Sequence, residues 1–366
     1  MRIAIVINAS WNIYNFRMGL IKAFMEASHE VYTIAPQDEY SDHLVKAGCH
    51  YVPVILDNKG SHPLRDLQFT YKLHHLYKQI QPDVILHYTI KPNIYGTMAA
   101  ALLGIPVINN VSGLGTVFLR DNFTSKIAHV LYKLTFWSPK KIFFQNPDDR
   151  DLFIEKKLVK HKITDVLPGS GINLSLFKPE PYKKNTTFSF LLIARLLYDK
   201  GIVEYIEAIK ILKQNGIRAN FYLLGFKDDS PAGIPESLLK EWLDQGWVTY
   251  LGTTDDVRNF IKGADCIVLP SYREGTPRTL LEAAALGKPL IATRVPGCIE
   301  IVEDEVNGYL CEARDPVSLA EQMQKIFSLD TNKLQEMGQA SRRKVEEKFD
   351  EKLVIGKYMD ALQNCR

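Results

Sequence analysis

The chain has 366 residues, 46% of them hydrophobic, which is enough for two domains of roughly 100–200 residues, each with its own core. Its formal net charge is only +3 and no recognition motif accompanies that charge, so the sequence does not favour a nucleic-acid-binding protein. No apolar run approaches the roughly 18 residues that a membrane span requires, and the first run, at residues 3–7, is too short for a signal peptide. We therefore expect a cytosolic protein.

Short β-branched runs alternate with helical stretches through both halves of the chain. In the first half the runs are at residues 3–7, 29–35, 51–54, 84–87, 107–109, 141–145 and 163–166, and in the second half at residues 188–194, 220–224, 248–251, 266–269 and 289–293. This alternation predicts α/β architecture, with two doubly wound parallel sheets. A polar, proline-bearing segment at residues 178–187 separates them. We predict domains at residues 1–175 and 186–350, with a C-terminal helix at residues 351–366 that packs back on the first domain.

A basic and partly apolar segment lies late in the first domain. Lys126, Lys133, Lys140 and Lys141 alternate there with Ile127, Val130, Leu134 and Trp137. Such a pattern is typical of a helix that touches an anionic membrane surface, and a solvated helix face packed on the core explains the same residues. Both interpretations stay open at this point.

In parallel sheets, ligands collect at the carboxyl ends of the strands. Arg195 directly follows the strand run 188–194, and Lys200 follows shortly after it. Two cations at one strand end favour an anion, and a diphosphate fits because Arg offers a fork of donors and Lys a mobile charge. The alternative is that both cations pair with neighbouring acids such as Asp199.

A segment that begins and ends with a carboxylate, residues 274–282, follows the strand run 266–269. Thr276 and Pro277 predict an N-cap followed by proline at the first helical position. The amides of Arg278 and Thr279 would then face a ligand at the positive end of the helix. Glu274 and Glu282 would lie about 10 Å apart, suited to two hydroxyl clusters of an elongated ligand. The alternative is that both are ordinary solvated acids.

The cysteines and the acidic pairs indicate no metal or redox site. Five cysteines, an odd number, have no C-x-x-C spacing, which favours buried thiols over disulfides or zinc ligands. Acidic pairs at residues 149 and 151, 228–229 and 255–256 fall at predicted helix starts or turns, where Asp is favoured as a cap. We predict no cofactor and no bound metal.

Landmarks spread over nearly the whole chain resemble family 4 of the retaining glycosyltransferases. In the second half they are Arg195, Lys200-Gly201 and residues 223–225, 270–277, 280–283, 287–289, 296–300 and 307–308. In the first half, residues 15–17, 87–96 and 112–115 are similar to a subgroup that extends lipid-linked oligosaccharides and surface polysaccharides, such as O-antigen and capsule. The resemblance implies two Rossmann-like domains facing a cleft, the GT-B arrangement.

The resemblance also implies roles for individual residues. Glu274, Arg195 and Lys200 would be catalytic, with the two cations on the donor diphosphate, Glu274 on the transferred sugar and Glu282 on the ribose hydroxyls. Donor-binding residues would further include Gly225, Gly275, Thr276, Pro277, Arg278 and Thr279. Acceptor-binding residues would be Arg17, His87, Lys91, Asn93, Ser112 and Gly113. Ser112 stands where many relatives have a histidine, and His87 is either its substitute or a structural hydrogen-bonder.

The sequence therefore predicts a metal-independent, retaining transferase that moves a hexose or N-acetylhexosamine from a UDP-sugar to a polyprenyl-diphosphate-linked saccharide. We expect it to be bacterial and peripheral on the inner face of the cytoplasmic membrane. A sugar-nucleotide 2-epimerase would bind the same donor, but it needs acid/base groups around the sugar that this sequence does not place. A non-catalytic nucleotide-sugar-binding protein is the third possibility.

Overall fold

A computed structural model describes residues 1–56, 62–113, 123–181 and 185–365, with residues 123–125 described by their backbone alone. It divides the chain into two compact units. The first comprises Met1–Gly171 and Glu351–Arg366, and the second comprises Ile172–Asp350. Each unit contains one parallel sheet, which confirms the predicted α/β class.

The first unit is built on a seven-stranded sheet in the order β3-β2-β1-β4-β5-β6-β7. Its strands are β1 (Arg2–Val6), β2 (Glu30–Ala35), β3 (His50–Pro53), β4 (Val84–Tyr88), β5 (Val107–Val111), β6 (Lys141–Phe144) and β7 (Thr164–Val166). Its helices up to this point are α1 (Ser10–Glu26), α2 (Ser41–Lys46), α3 (Pro63–Ile80), α4 (Thr97–Ala101), α5 (Phe123–Thr135) and α6 (Pro147–Glu155). A π-helical turn, Pro92–Gly96, leads directly into α4.

Both faces of this sheet are covered, because successive side chains of a strand point to opposite sides. Ile3 and Ile5 of β1 belong to a core with α1, whereas Ala4 and Val6 belong to a core with α3 and α4. The strand order reverses between β1 and β4, so the carboxyl ends of these two strands flank the position where doubly wound sheets bind ligands.

The second unit repeats this plan with a six-stranded sheet in the order β10-β9-β8-β11-β12-β13. Its strands are β8 (Ser189–Ile193), β9 (Asn220–Leu224), β10 (Thr249–Tyr250), β11 (Cys266–Leu269), β12 (Leu290–Thr293) and β13 (Gly308–Cys311). Its helices are α7 (Ile202–Gln214), α8 (Glu236–Asp244), α9 (Arg258–Gly263), α10 (Arg278–Ala285), α11 (Cys298–Ile301), α12 (Pro316–Phe327) and α13 (Thr331–Lys348). Here the order reverses between β8 and β11, and β13 is a strand that the sequence analysis missed.

The last helix, α14 (Glu351–Gln363), belongs to the first unit. Its Tyr358 is buried, packs edge-on against Phe143 of β6, and accepts a hydrogen bond of 3.0 Å from Asn110 Nδ2. Lys357 Nζ donates to the carbonyl of Val166 at 2.7 Å, which ties the helix to β7 as well. The end of the chain therefore completes the core beside α1.

Candidate functional site

The strand ends at the reversal point of the second sheet carry the charged residues singled out in the sequence. Arg195 lies just beyond β8, and Glu274 lies in the loop after β11. Thr279 Oγ1 donates to the carbonyl of Ile193 at 3.2 Å, which ties the first turn of α10 to the end of β8. The topology therefore brings together two residues that lie 86 positions apart in sequence.

An ion pair joins these segments. Lys200 Nζ lies 2.6 Å from Glu274 Oε1, and the two side chains are only 20% and 13% exposed. Each charge offsets part of the cost of burying the other. The alternative partner considered for Lys200, Asp199, is not the one the structure provides.

Arg195 is arranged differently, because its side chain is 63% exposed. Its Nη1 lies 3.6 Å from Oδ2 of Asp228, in the segment that follows β9. Asp228 also accepts a hydrogen bond of 2.9 Å from the amide of Ser230, so it is both the turn-forming residue predicted from the sequence and an ion-pair partner. This exposed guanidinium retains donors for an anion.

Glu282 lies inside α10 and is largely buried. Arg278 Nε donates to Glu282 Oε1 at 3.0 Å, one helical turn away. Burial raises the pKa of Glu282 above its ordinary value, and the positive charge of Arg278 opposes that rise. Glu282 is therefore a carboxylate held in place by a neighbouring cation, which excludes the reading of an ordinary solvated acid.

The start of α10 differs by one residue from the expectation. Pro277 is the N-cap, with φ −69° and ψ 116°, and the helix begins at Arg278. Leu280 and Leu281 donate to the Pro277 carbonyl at 3.1 and 3.3 Å. The proline ring fixes φ but leaves ψ extended, so Pro277 takes the cap position that the sequence analysis gave to Thr276. Gly275 and Thr276 lie in the loop immediately before this cap.

Gly225 follows β9, the strand next to β8. Its amide donates to the carbonyl of Gly252 at 2.9 Å, and its carbonyl accepts a hydrogen bond of 2.8 Å from the hydroxyl of Tyr250. Gly225 thus belongs to the same edge of the sheet as Arg195 and Glu274.

In the first unit, His87 at the end of β4 is fully buried. Its Nε2 lies 2.9 Å from the hydroxyl of Tyr77, and its Nδ1 lies 3.2 Å from Oδ1 of Asn109. This pattern fits a neutral ring with the proton on Nδ1, and burial lowers the pKa of His87 to about 3. His87 has no surface to offer a substrate in this geometry, so we assign it the structural role in place of acceptor contact.

Two of the other predicted acceptor residues, Ser112 and Asn93, contact Asn110 of β5, which the sequence analysis missed. Ser112 donates to Asn110 Oδ1 at 2.9 Å, and Asn93 Nδ2 donates to the Asn110 carbonyl at 2.8 Å. Asn93 is 1% exposed, and its Oδ1 has no hydrogen-bond partner in the part of the chain that the structure describes. Gly113 follows Ser112 with φ 132°, and residues 114 and 115 of the same motif lie outside the described residues.

Two predicted cations of this unit are also engaged. The guanidinium of Arg17 lies 4.5 Å above the ring of Tyr88, with 7% of the residue exposed. Lys91 Nζ lies 2.7 Å from Oδ1 of Asp66 on α3. The Arg17 guanidinium and Lys91 thus lie at the carboxyl end of β4, and Ser112 directly follows β5, although each has protein partners.

Within the described ranges, no three His, Cys, Asp or Glu side chains form a group arranged to hold a metal ion. Among the described residues, none of the helices has the length and apolar composition that crossing a bilayer requires.

The fold is the GT-B fold of glycosyltransferases, as comparison with solved structures shows. The crystal structure of HepE from Anabaena in complex with UDP is 17% identical, covers 99% of this chain and 100% of its own, and superimposes with a TM-score of 0.80. Sucrose-phosphate synthase from Thermosynechococcus elongatus is 20% identical, covers 99% of this chain and 98% of its own, and has a TM-score of 0.81.

Sequence comparison gives the family. The model for glycosyl transferases group 1 matches residues 176–344, and the glycosyl transferase 4-like model matches residues 2–146. The N,N'-diacetylbacillosaminyl-diphospho-undecaprenol alpha-1,3-N-acetylgalactosaminyltransferase of Campylobacter jejuni is 30% identical over 98% of this chain and 97% of its own length. The chain therefore belongs to the group 1 glycosyltransferases with a family 4-like amino-terminal half. This membership does not favour the epimerase alternative.

Proposed function

We propose that this glycosyltransferase moves a hexose or N-acetylhexosamine from a UDP-sugar to a saccharide linked to a polyprenyl diphosphate, with retention of the anomeric configuration and without a metal ion. The observation that carries the proposal is the placement of Arg195 and of the Lys200–Glu274 ion pair at the carboxyl ends of β8 and β11. Two cations and one carboxylate at a strand-order reversal suit a donor that is a diphosphate at one end and a sugar at the other.

The nucleotide part of the donor is supported by the site and by a structural neighbour. Lys200 and Arg195 would neutralise the diphosphate, and Glu282, fixed by Arg278, would accept hydrogen bonds from the ribose hydroxyls. HepE, which has the same fold, is described in complex with UDP and with UDP-glucose. Uridine is therefore the nucleoside that we propose for the donor.

The chemistry requires one bond exchange at the anomeric carbon. The acceptor hydroxyl oxygen forms a bond to this carbon, the bond from the carbon to the β-phosphate oxygen breaks, and the hydroxyl proton passes to the departing phosphate on the same face. Charge grows on the phosphate as the bond breaks, so Lys200 and Arg195 stabilise the transition state more than the ground state. Glu274 would hold the sugar hydroxyls and its negative charge would favour the cationic anomeric centre. These two cations supply the neutralisation that a metal ion would otherwise supply.

The names of the relatives support both the acceptor and the stereochemistry. The Campylobacter enzyme and the UDP-Gal:alpha-D-GlcNAc-diphosphoundecaprenol alpha-1,3-galactosyltransferase of Escherichia coli are both named for alpha linkages to diphospho-undecaprenol-linked sugars. The second is 26% identical over 76% of this chain and 74% of its own length. An α-linked donor gives an α product only with retention. Arg17, Lys91, Asn93, Ser112 and Gly113 are the residues we propose for the acceptor.

A lipid-linked acceptor places the enzyme beside a membrane, and one layer of helices in the first unit suits that position. On α5 and just beyond it, Ile127, Val130, Leu134 and Trp137 recur at helical spacing and are 37–70% exposed. The turn Pro92–Gly96 packs against both α3 and α5. On this layer Leu64, Leu67, Tyr71, Met98 and Leu102 are also exposed. An apolar surface of this extent is typical of an interaction site.

The charge of this layer indicates an anionic partner. Its basic residues are Arg65, Lys72, Lys78, Lys91, Lys126, Lys133 and Lys140. The only acid in residues 63–80, 91–102 and 123–140 is Asp66, which pairs with Lys91. Apolar side chains ringed by lysines fit the headgroup region of an anionic bilayer. We propose that this layer, which includes the segment Lys126 to Lys141, docks on the inner face of the cytoplasmic membrane.

The transfer reaction is tested by incubating the purified protein with individual UDP-hexoses and UDP-N-acetylhexosamines and short-chain polyprenyl-diphosphate saccharides, with and without EDTA. We expect UDP release that depends on the acceptor and persists in EDTA, and an α-configured product by NMR. UDP release without acceptor consumption would favour the epimerase reaction, and UDP binding without any turnover would favour a non-catalytic protein.

Membrane docking is tested separately by co-sedimentation with phosphatidylglycerol and phosphatidylcholine vesicles. We expect binding to the anionic vesicles that weakens as salt is raised. The double variant Val130→Glu and Leu134→Glu should bind at least about tenfold more weakly, because each of these side chains contributes roughly 1.5 kcal/mol or more when buried. The matched control is Val306→Glu and Val317→Glu, on exposed apolar residues of the second unit. Absence of wild-type binding at low salt would contradict the docking surface and leave the transfer reaction untouched.

A further inference from the structure

A second connection joins the loop after β11 to the start of α7, through a tyrosine that has no assigned role. Tyr272 precedes Glu274 by two residues in that loop. Its hydroxyl donates to Oε1 of Glu204, in the first turn of α7, at 2.6 Å. Its amide donates to the carbonyl of Asp199 at 2.9 Å. Two hydrogen bonds of Tyr272 therefore reach the residues on either side of Lys200 in the chain.

The backbones of the two segments are also in direct contact. Gly201 caps α7 with φ +70°, and a Cβ atom added there would lie 2.0 Å from the carbonyl oxygen of Pro270. Only glycine fits such an approach. The turn that carries Lys200 is thus in backbone contact with the loop that carries Glu274. This contact is independent of the ion pair between their side chains.

The hydrogen bond from Tyr272 to Glu204 has the properties of a strong one. It is short and its acceptor is a carboxylate, which makes it charge-assisted. Burial and the hydrogen bond to Glu204 both raise the pKa of Tyr272, so the phenol remains a donor at neutral pH. The other oxygen of Glu204, Oε2, is buried and has no hydrogen-bond partner among the described residues, so the Tyr272 hydroxyl carries most of the hydrogen bonding of this carboxylate.

The guanidinium of Arg314 covers the other side of this arrangement, 4.6 Å from the centre of the Tyr272 ring. Its positive charge opposes the rise in the pKa of Tyr272. The ring is therefore held at its hydroxyl by Glu204 and at its face by Arg314. Because Tyr272 is held at both places, the backbone between Tyr272 and Glu274 has little freedom to move.

We propose that Tyr272 and Glu204 are positioning residues that set the spacing between Lys200 and Glu274. The inference rests on the proposed function, in which Lys200 holds the diphosphate and Glu274 the transferred sugar. A donor that bridges these two groups is sensitive to their separation, because a misplacement of about 1 Å can cost roughly a hundredfold in rate. UDP alone does not reach the sugar subsite, so it should be insensitive to the same change.

The test compares Tyr272→Phe, Glu204→Gln and the double variant with Tyr205→Phe. Tyr205 is the neighbour of Glu204 on α7. Its buried hydroxyl donates to the carbonyl of Phe190 on β8 at 3.2 Å and not to the loop after β11. We expect the three test variants to lower kcat by about tenfold to a hundredfold, with the UDP Kd within about twofold of the wild type. Tyr272→Phe removes the donor of this hydrogen bond and Glu204→Gln removes the charge of its acceptor, so the double variant should be no worse than the more affected single variant.

Tyr205→Phe should lower the unfolding temperature by about as much as Tyr272→Phe does, because each removes one hydroxyl hydrogen bond. It should leave kcat unchanged. If Tyr272→Phe behaves as Tyr205→Phe does, or if the effects of the two single variants on kcat add in the double variant, the positioning role is overturned while the transferase survives. If the wild type itself neither binds UDP nor transfers sugar, the proposed function fails first and this inference fails with it.

Discussion

Lys200 Nζ and Glu274 Oε1 lie 2.6 Å apart, although the two residues follow different strands of the second sheet and are 74 positions apart in sequence. Each is mostly buried, so each depends on the other for compensation of its charge. In the proposed reaction they hold different parts of one donor. The pair therefore keeps the two ends of the proposed donor site at a fixed distance.

Replacing Lys200 with Ala should weaken UDP binding and lower turnover together. The substitution removes a phosphate contact and leaves the Glu274 carboxylate mostly buried without its cation. We expect kcat to fall by roughly a hundredfold or more, in line with the loss of one charge-stabilising group. Isothermal titration with UDP and initial rates measure the two effects. Lys240→Ala is the control, because Lys240 pairs with Asp244 on an exposed helix face and should change neither quantity.

Glu274→Gln and Glu282→Gln should produce opposite patterns. Glu274 is proposed to hold the sugar, so its amide variant should bind UDP normally and lose transfer. Glu282 is proposed to hold the ribose, so its amide variant should lose UDP affinity by about tenfold, the typical worth of one hydrogen bond to a charged group. Equal losses of UDP affinity in the two variants would contradict the division of roles.

The sequence predicted the fold and the strand ends that carry the candidate site because both depend on local signals. Apolar runs mark strands, and parallel strands collect their following residues at one edge, so Arg195 and Glu274 could be placed together without coordinates. The strand β13 was missed because it has only four residues and begins with Gly308, a residue that weakens strand patterns.

The ion-pair and hydrogen-bond partners of individual side chains could not be predicted in the same way. Arg195 pairs with Asp228 and Tyr272 with Glu204, over 33 and 68 positions of sequence, and no periodicity encodes such distances. The burial of His87 was equally hidden. All five residues of β4 are buried because helices cover both faces of the sheet, so alternation along the strand gives no sign of which side chain reaches a surface.

Gly297 packs against the backbone of the loop after β11, so a methyl group at Gly297 should disturb that loop. A Cβ atom at Gly297 would lie 2.4 Å from the carbonyl oxygen of Gly275 and 2.8 Å from that of Glu274. We expect Gly297→Ala to lower both transfer and the unfolding temperature. Gly216→Ala is a matched control, because Gly216 has a similar φ of +78° but nothing within 4 Å of the added atom. Both variants place a side chain at a positive φ, so the contact is supported only if Gly297→Ala loses more transfer than its loss of unfolding temperature explains, with Gly216→Ala as the reference.

The pH dependence of the protein should carry a contribution from Glu282. Burial raises the pKa of this carboxyl, so the folded protein binds its proton more tightly than the unfolded chain does. This contribution to stability is fully present below the unfolded pKa of about 4.3 and is lost as pH rises through the higher folded value. From about pH 4 to about pH 7, the unfolding temperature of the wild type should therefore fall relative to that of Glu282→Gln.

Ligand binding should report the same group with the opposite preference. Ribose hydroxyls donate best to the ionised carboxylate, so UDP-glucose should bind the wild type more weakly as pH falls through the pKa of Glu282. UDP-glucose is the suitable probe because its diphosphate is esterified at both ends and does not titrate in this range. The Gln variant should bind weakly at every pH, with no such slope. Identical slopes for the wild type and the variant would mean that Glu282 does not contact the nucleotide.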